Sequence, residues 1–235
     1  MITSNKSINR NICFIPVRKG SKGIIGKNSK KLVNKPLICW VLDVVLSSGI
    51  ADEVWIATDC SDMEQLLCEI YKDKLNIFRR CKENAQDSSP TIDVVLEFLT
   101  AFQYKDTDNL ILLQATSPFT SAEELKLLAR GIEDGEKDSY IACTRLKKFS
   151  WDDNGKPLNY SLETKPRRQE YKGLLIETGS FYASTVGAIV KSKQLISGKI
   201  EVIEVSSPSI IDIDEELDWL MAETYINYTK QCSEL

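Results

Sequence analysis

The chain has 235 residues, about one large domain of the usual 100–200-residue range, and a chain this long needs no disulfide or metal staple to hold a core. Hydrophobic residues make up 43 % and charged residues 27 %, the balance of a globular protein rather than a disordered one. The 30 Lys and Arg against 34 Asp and Glu leave a net charge of -4, which argues against nucleic-acid binding, and no apolar run reaches the roughly 18 residues of a membrane span.

In chain order, polar residues 1–11 lack the apolar centre of a secretory signal. Residues 12–17 form a short apolar run ending in a Gly-rich turn, the pattern of a buried strand. Pro36 opens a helix to residue 48, where its missing N–H costs nothing. A second strand follows at 54–58, then Ser61 and Glu64 in capping-box spacing ahead of Leu67 and Tyr71. Residues 76–79 read as a third strand. Pro90 starts a helix with Val94, Val95, Phe98, Leu99 and Phe102 at helical spacing. Residues 110–113 are strongly apolar, and a second capping box, Ser121 with Glu124, opens a helix carrying Leu125, Leu128 and Ile132. A strand at 139–143 completes a β-α alternation that predicts a mostly parallel sheet covered on both faces. From Lys147 to Tyr171 the chain turns polar and aperiodic; so long an irregular stretch tends to be functional. Strands are expected again at 179–183 and 200–205. A last helix, from 215 to about 228, carries Leu217, Leu220, Met221, Thr224 and Tyr225 on one face.

Cys13, Cys39, Cys60, Cys68, Cys81, Cys143 and Cys232 are odd in number and form no CxxC pair, which fits buried thiols in a reducing, cytoplasmic setting. The chain has no histidine. That excludes Ser-His-Asp triads, Cys-His dyads and histidine-bound metals, leaving carboxylates, Lys, Arg, hydroxyls and backbone dipoles for any chemistry.

The most informative segment follows the first strand. Between Pro16 and Asn28 stand Gly20, Gly23 and Gly26 with Arg18, Lys19, Lys22 and Lys27. Backbone N–H groups of such a turn converge on phosphate oxygens while the cations neutralise them. In an open α/β sheet the turn lies where ligands bind, at the carboxyl ends of the strands. It is not a Walker A motif, since Ser21 stands five residues before Gly26 and Asn28 follows Lys27; nor is it GxGxxG. Far downstream, Asp212 and Asp214 alternate with Ile211 and Ile213, so an extended segment points both carboxylates one way, toward a hard cation such as Mg²⁺.

Five segments, in order, resemble the CMP-sialic acid synthetases (acylneuraminate cytidylyltransferases): IPVRKGSKGIIGKN at 15–28, LQATSPF at 113–119, RRQ at 167–169, ETGSFY at 177–182, and IDID at 211–214 followed by Leu217 and Asp218. The resemblance implies an α/β, Rossmann-like three-layer sandwich with a mostly parallel central sheet and a dimerisation arm. It implies one cytidylyltransferase domain over 1–235, with the polar insertion at about 147–172 as an arm closing the partner's site in a homodimer. It implies that Arg18, Ser21, Lys22, Gly23, Lys27 and Asn28 cradle CTP, that Arg80, Thr91 and Gln114 contact the nucleotide, and that Arg168, Gln169, Glu177, Phe181 and Tyr182 bind the sugar. Lys22, Asp212 and Asp214 are the implied catalytic residues, with Mg²⁺ on the two aspartates.

The implied reaction joins CTP to a nine-carbon acidic ulosonic sugar, N-acetylneuraminate or Kdn, releasing pyrophosphate. Alternatives are legionaminate or 3-deoxy-octulosonate as the sugar, or a silent CTP-binding sensor. Relative to the family pattern, Ala115 replaces a proline and Thr178 an asparagine, which bears on sugar choice. No residue stands out as the general base.

Overall fold

The computed structural model describes residues 9–20, 23–86 and 89–233. Strand β1 (Asn11–Val17) opens the fold. Ile12 and Phe14 are buried toward one face, Cys13, Ile15 and Val17 toward the other. A strand covered on both faces needs no polar alternation, hence the unbroken apolar run. After the Gly-rich loop, β2 (Lys31–Leu32) and β3 (Lys35–Pro36) form a small hairpin. Helix α1 (Leu37–Ser48) starts one residue past Pro36 and stops at Gly49, whose φ of 71° makes the left-handed cap that glycine supplies without steric cost.

The alternation continues as expected through β4 (Glu53–Thr58), α2 (Ser61–Tyr71), β5 (Asn76–Arg79), α3 (Thr91–Ala101), β6 (Asn109–Leu113) and α4 (Ala122–Asp134). Then come β7 (Ser139–Leu146), β8 (Leu174–Thr185), α5 (Val186–Ser192), β9 (Ile200–Val205) and α6 (Glu216–Ser233). The seven-stranded sheet runs β5-β4-β1-β6-β8-β7-β9. All its pairings are parallel except those of β8, which is antiparallel to β6 and β7.

Two cores sandwich the sheet. Residues of α1, α2 and α4, among them Val41, Leu42, Leu67 and Leu128, pack on one face. On the other, Phe98 of α3 lies 4.8 Å from Phe14 and 5.4 Å from Phe78, ring centroid to centroid; full burial of one such ring is worth about 1.5–3 kcal/mol. A third, smaller cluster joins Ile24 of the Gly-rich loop, Leu32, Leu37 and Ile213 to Trp219, Ala222 and Ile226 of α6. This cluster is the floor beneath the loop. All seven cysteines are free, and no helix among the described residues is long and apolar enough to cross a membrane.

Three features depart from the sequence pattern. The Ser121–Glu124 capping box forms, but the Ser61–Glu64 box does not. Ser61 is already inside α2, with Cys60 at the cap position, and Glu64 is drawn to Arg79 at 2.8 Å. In α6 the buried face is Trp219, Ala222 and Ile226, while Leu217, Leu220 and Met221 face outward at 65 %, 59 % and 49 % exposure. Strand β8 is longer than its apolar centre suggested. It continues back to Leu174 as a hairpin with β7, across a register shift between Ile141 and Cys143.

Candidate active site

A cavity of about 710 Å³ opens at the carboxyl ends of the parallel strands. Its first wall is the loop after β1, with Arg18, Gly23, Lys27 and Asn28. Ser21 and Lys22 lie outside the described residues. Gly23 is there for space: a Cβ at this position would sit 2.1 Å from the backbone oxygen of Asp214. Loop and aspartate segment therefore touch backbone to backbone. Lys27 reinforces the contact. Its buried ammonium donates to the carbonyl of Ile213 at 2.5 Å and to Asp214 Oδ1 at 2.9 Å, so it is committed to the aspartate turn while it lines the cavity.

A second wall comes from β5 and α3. Arg80 follows β5, its backbone N–H donating to Thr58 at 3.2 Å; Thr91 begins α3, and both line the cavity. The Arg80 Nε is buried without a partner, and burial lowers the guanidinium pKa. Such a group gains most from an acceptor arriving in the cavity.

The third wall is Gln114 at the end of β6, with Thr116, Gly179 and Tyr182. Gln114 donates its backbone N–H to Ser180 at 3.1 Å. The Tyr182 hydroxyl donates to Glu177, and its pKa is raised by burial and by that hydrogen bond. Asp212 and Asp214 complete the cavity. No regular strand runs through 211–214, but the expected alternation holds: Ile213 is fully buried and both aspartates line the cavity. The segment is fixed by Ile213 N–H to the Thr116 carbonyl at 2.9 Å, and by Asp218, which accepts from the N–H groups of Asp214 and Glu215 at 3.0 and 2.9 Å. Burial is the main cause that raises the Asp212 pKa; the Asp214 charge adds to it and a Thr116 hydrogen bond opposes it.

These residues fit a divalent cation. Asp212 Oδ1 is buried with no partner, and Asp214 presents a second carboxylate. No cluster of three or more acidic, cysteine or histidine side chains forms a metal site among the described residues, so further ligands would be phosphate oxygens and water, the usual surroundings of Mg²⁺.

Not every expected residue reaches the cavity. Phe181 is fully buried in the core, because neighbours in a strand point to opposite faces and Tyr182 takes the outward one. Glu177 is exposed and meets the site through Tyr182. Arg168 and Gln169 are exposed on the 147–172 segment, away from the cavity of their own chain. Thr178 is buried against β7, its hydroxyl 3.3 Å from the Ala142 carbonyl and 2.8 Å from Ser180, so it does not face a ligand. Ala115 does line the cavity. Thr116 and Gly179 had no role assigned from sequence, although both stand inside recognised segments; Gly179, with φ 74°, lies where the β7–β8 register shifts.

The cytidylyltransferase family profile matches residues 12–189. N-acylneuraminate cytidylyltransferase A of Danio rerio is 32 % identical over 217 residues, 89 % of this chain and 49 % of the relative. That of Oncorhynchus mykiss is 35 % identical over the same shares. The chain thus spans about half the length of these vertebrate relatives. CMP-N,N'-diacetyllegionaminic acid synthase of Legionella pneumophila is 30 % identical over 94 % of this chain and 98 % of its own. Among solved structures, CMP:2-keto-3-deoxy-manno-octonic acid synthetase complexed with CTP superposes with a TM-score of 0.68 at 20 % identity, covering 94 % of this chain and all of that one; it shares the fold. The chain belongs to the cytidylyltransferase family, among the CMP-sialic acid synthetases and their relatives.

Proposed function

We propose that the protein activates an acidic ulosonic sugar with CTP. The observation that carries the reading is the meeting of the basic loop, Arg80 and the Asp212–Asp214 pair around one cavity of nucleotide size. The C2 hydroxyl of a nine-carbon sugar attacks the α-phosphorus. A C2–O–P bond forms, the bond to the β-phosphate breaks, the hydroxyl proton is released, and CMP-sugar and pyrophosphate leave.

Arg18 and the loop N–H groups would receive the triphosphate, whose charge makes such hydrogen bonds about twice as strong as neutral ones. Arg80, Thr91 and Gln114 would hold the nucleoside end, and Tyr182 with Glu177 would border the sugar. Asp212 and Asp214 would hold Mg²⁺, which supplies charge neutralisation on phosphate oxygens when bound. Lys27 keeps Asp214 aimed into the cavity. Catalysis then rests on positioning and electrostatics.

The sugar-side group is incomplete in one chain, because Arg168 and Gln169 are exposed away from the cavity. We take the 147–172 segment as an arm that completes the site of a second copy. Its Trp151, Leu158 and Leu162 are exposed at 49 %, 65 % and 65 %, apolar surface that a homodimer would cover. Sedimentation at micromolar concentration checks this: a lone monomer removes the arm's role. Seven unpaired thiols suit a reducing cytoplasm.

The test of function is pyrophosphate release with CTP and Mg²⁺, offering N-acetylneuraminate, Kdn, legionaminate and 3-deoxy-octulosonate separately. Release with one nine-carbon sugar, abolished by EDTA, is the expected result. CTP binding with no release for any sugar would point to a sensor instead. A diacetylated legionaminate is the second reading, favoured because the Legionella relative matches this chain along 98 % of its own length.

A further inference from the structure

We propose that Glu97 is a positioning residue for nucleotide binding, acting through the turn that carries Arg80. The inference rests on Arg80 being a nucleotide ligand. Glu97 sits on α3, outside the cavity lining, and nothing in the transfer reaction requires it. Yet its carboxylate gathers three donors from one short turn: the backbone N–H of Cys81 at 2.8 Å, the Cys81 thiol at 3.3 Å, and Asn84 Nδ2 at 2.7 Å. The Asn84 amide also reaches the Asp93 carbonyl at 3.4 Å. The Asn84 backbone carbonyl in turn accepts from Arg80 Nη2.

The chain of contacts therefore runs from α3 through Glu97 and Asn84 to the guanidinium. With the Arg80 N–H pinned to Thr58, the turn is held from both sides. One end of the guanidinium is occupied, and the buried Nε has no partner. That arrangement presets Arg80 for an incoming acceptor, so ordering it costs little when ligand binds. The negative charges of Glu97 and Asp59 also support a guanidinium whose burial disfavours its charge.

A carboxylate is needed here because all three contacts are donors. Glu97→Gln keeps the volume but leaves one acceptor oxygen and turns an NH₂ toward the Cys81 or Asn84 donors. Glu97→Asp keeps both acceptors on a shorter stem.

The experiment measures CTP binding by calorimetry without sugar, together with KM and kcat for CTP and sugar, on wild type, Glu97→Gln, Glu97→Asp, Arg80→Ala and the Arg80→Ala/Glu97→Gln double variant. Melting temperatures keep folding failures separate. The expected result is CTP binding about tenfold weaker in Glu97→Gln, kcat and sugar KM within about twofold, and partial rescue in Glu97→Asp. The double variant should bind no worse than Arg80→Ala, the non-additivity expected of residues acting through one another. If Arg80→Ala weakens CTP binding while Glu97→Gln matches wild type, the positioning role falls and the nucleotide role of Arg80 stands. Additive losses in the double variant would make Glu97 an ordinary structural anchor. CTP binding unchanged in Arg80→Ala would remove both readings together.

Discussion

The cavity wall and the 147–172 segment, the proposed arm, are built on opposite plans. On the wall, two cations are already tied into place: Lys27 to Asp214, Arg80 through Asn84 to α3. The loops that carry them leave β1 and β5, parallel strands that flank and both pair with β4. The segment contains one isolated bridge, Trp151 with Pro157, local hydrogen bonds such as those of Asn159 with Ser150 and Lys148, and an aromatic knot. Phe149 lies 4.6 Å from Tyr160 and 5.1 Å from Tyr171, with the Lys165 ammonium 4.9 Å above the Phe149 ring. Its Trp151, Leu158 and Leu162 remain in water. One region has its ordering cost met within the chain; in the proposed dimer the other would leave part of that cost to an encounter.

The contrast can be broken most severely at the aspartates. Asp212→Asn should cut kcat by about a thousandfold with melting temperature held or raised, because a buried carboxylate with one partnerless oxygen loses its charge. An unchanged rate would sink the metal assignment. Next is Gly23→Ala. Its Cβ would collide with the Asp214 carbonyl, and shifting the loop by the required ångström or so should lower kcat/KM about a hundredfold. A variant with normal kinetics would show that the backbone contact is dispensable.

On the arm side, Arg168→Ala should raise sugar KM about tenfold and leave CTP affinity alone; equal losses for both substrates would blur the two plans into one. The smallest effect lies away from both. Burial alone would raise the Asp108 pKa, but the N–H groups of Arg10 and Lys105, each at 2.9 Å, and the Arg10 charge outweigh it and hold it below the usual range. A depressed folded value means that its stabilisation is present above the ordinary carboxylate range and is lost as pH falls through the folded value. Asp108→Asn should therefore cost about 1–3 kcal/mol at neutral pH and flatten the acid side of the melting curve against pH. A loss equal at every pH would refute that linkage.

The sheet and the wall were legible in the sequence because their physics is local and repetitive. Runs such as 12–17 and 110–113 are apolar without alternation, which is what burial on both faces permits. The Gly-rich turn and the Asp212–Asp214 spacing were visible as single motifs. Other features depend on what lies across the gap. Leu217, Leu220 and Met221 form a better apolar stripe than Trp219, Ala222 and Ile226, and only the Ile24–Leu37–Ile213 surface selects the second. Ser61 and Glu64 have the right spacing, but Arg79, fifteen residues on, claims the glutamate. The arm's aromatics follow no period, and Phe181 versus Tyr182 is decided by strand register. Glu97 has no motif around it.

The Lys27 bonds to Ile213 and Asp214 span 186 and 187 residues of chain. Closing so long a loop comes late, after the sheet has gathered its nearer contacts. A single cut between β9 and α6 should therefore loosen the aspartate turn from the Gly-rich loop while leaving the strand pairings of the sheet in place. The cavity's geometry is in this sense a report on the integrity of the polypeptide from the first strand to the last helix, delivered by one buried ammonium.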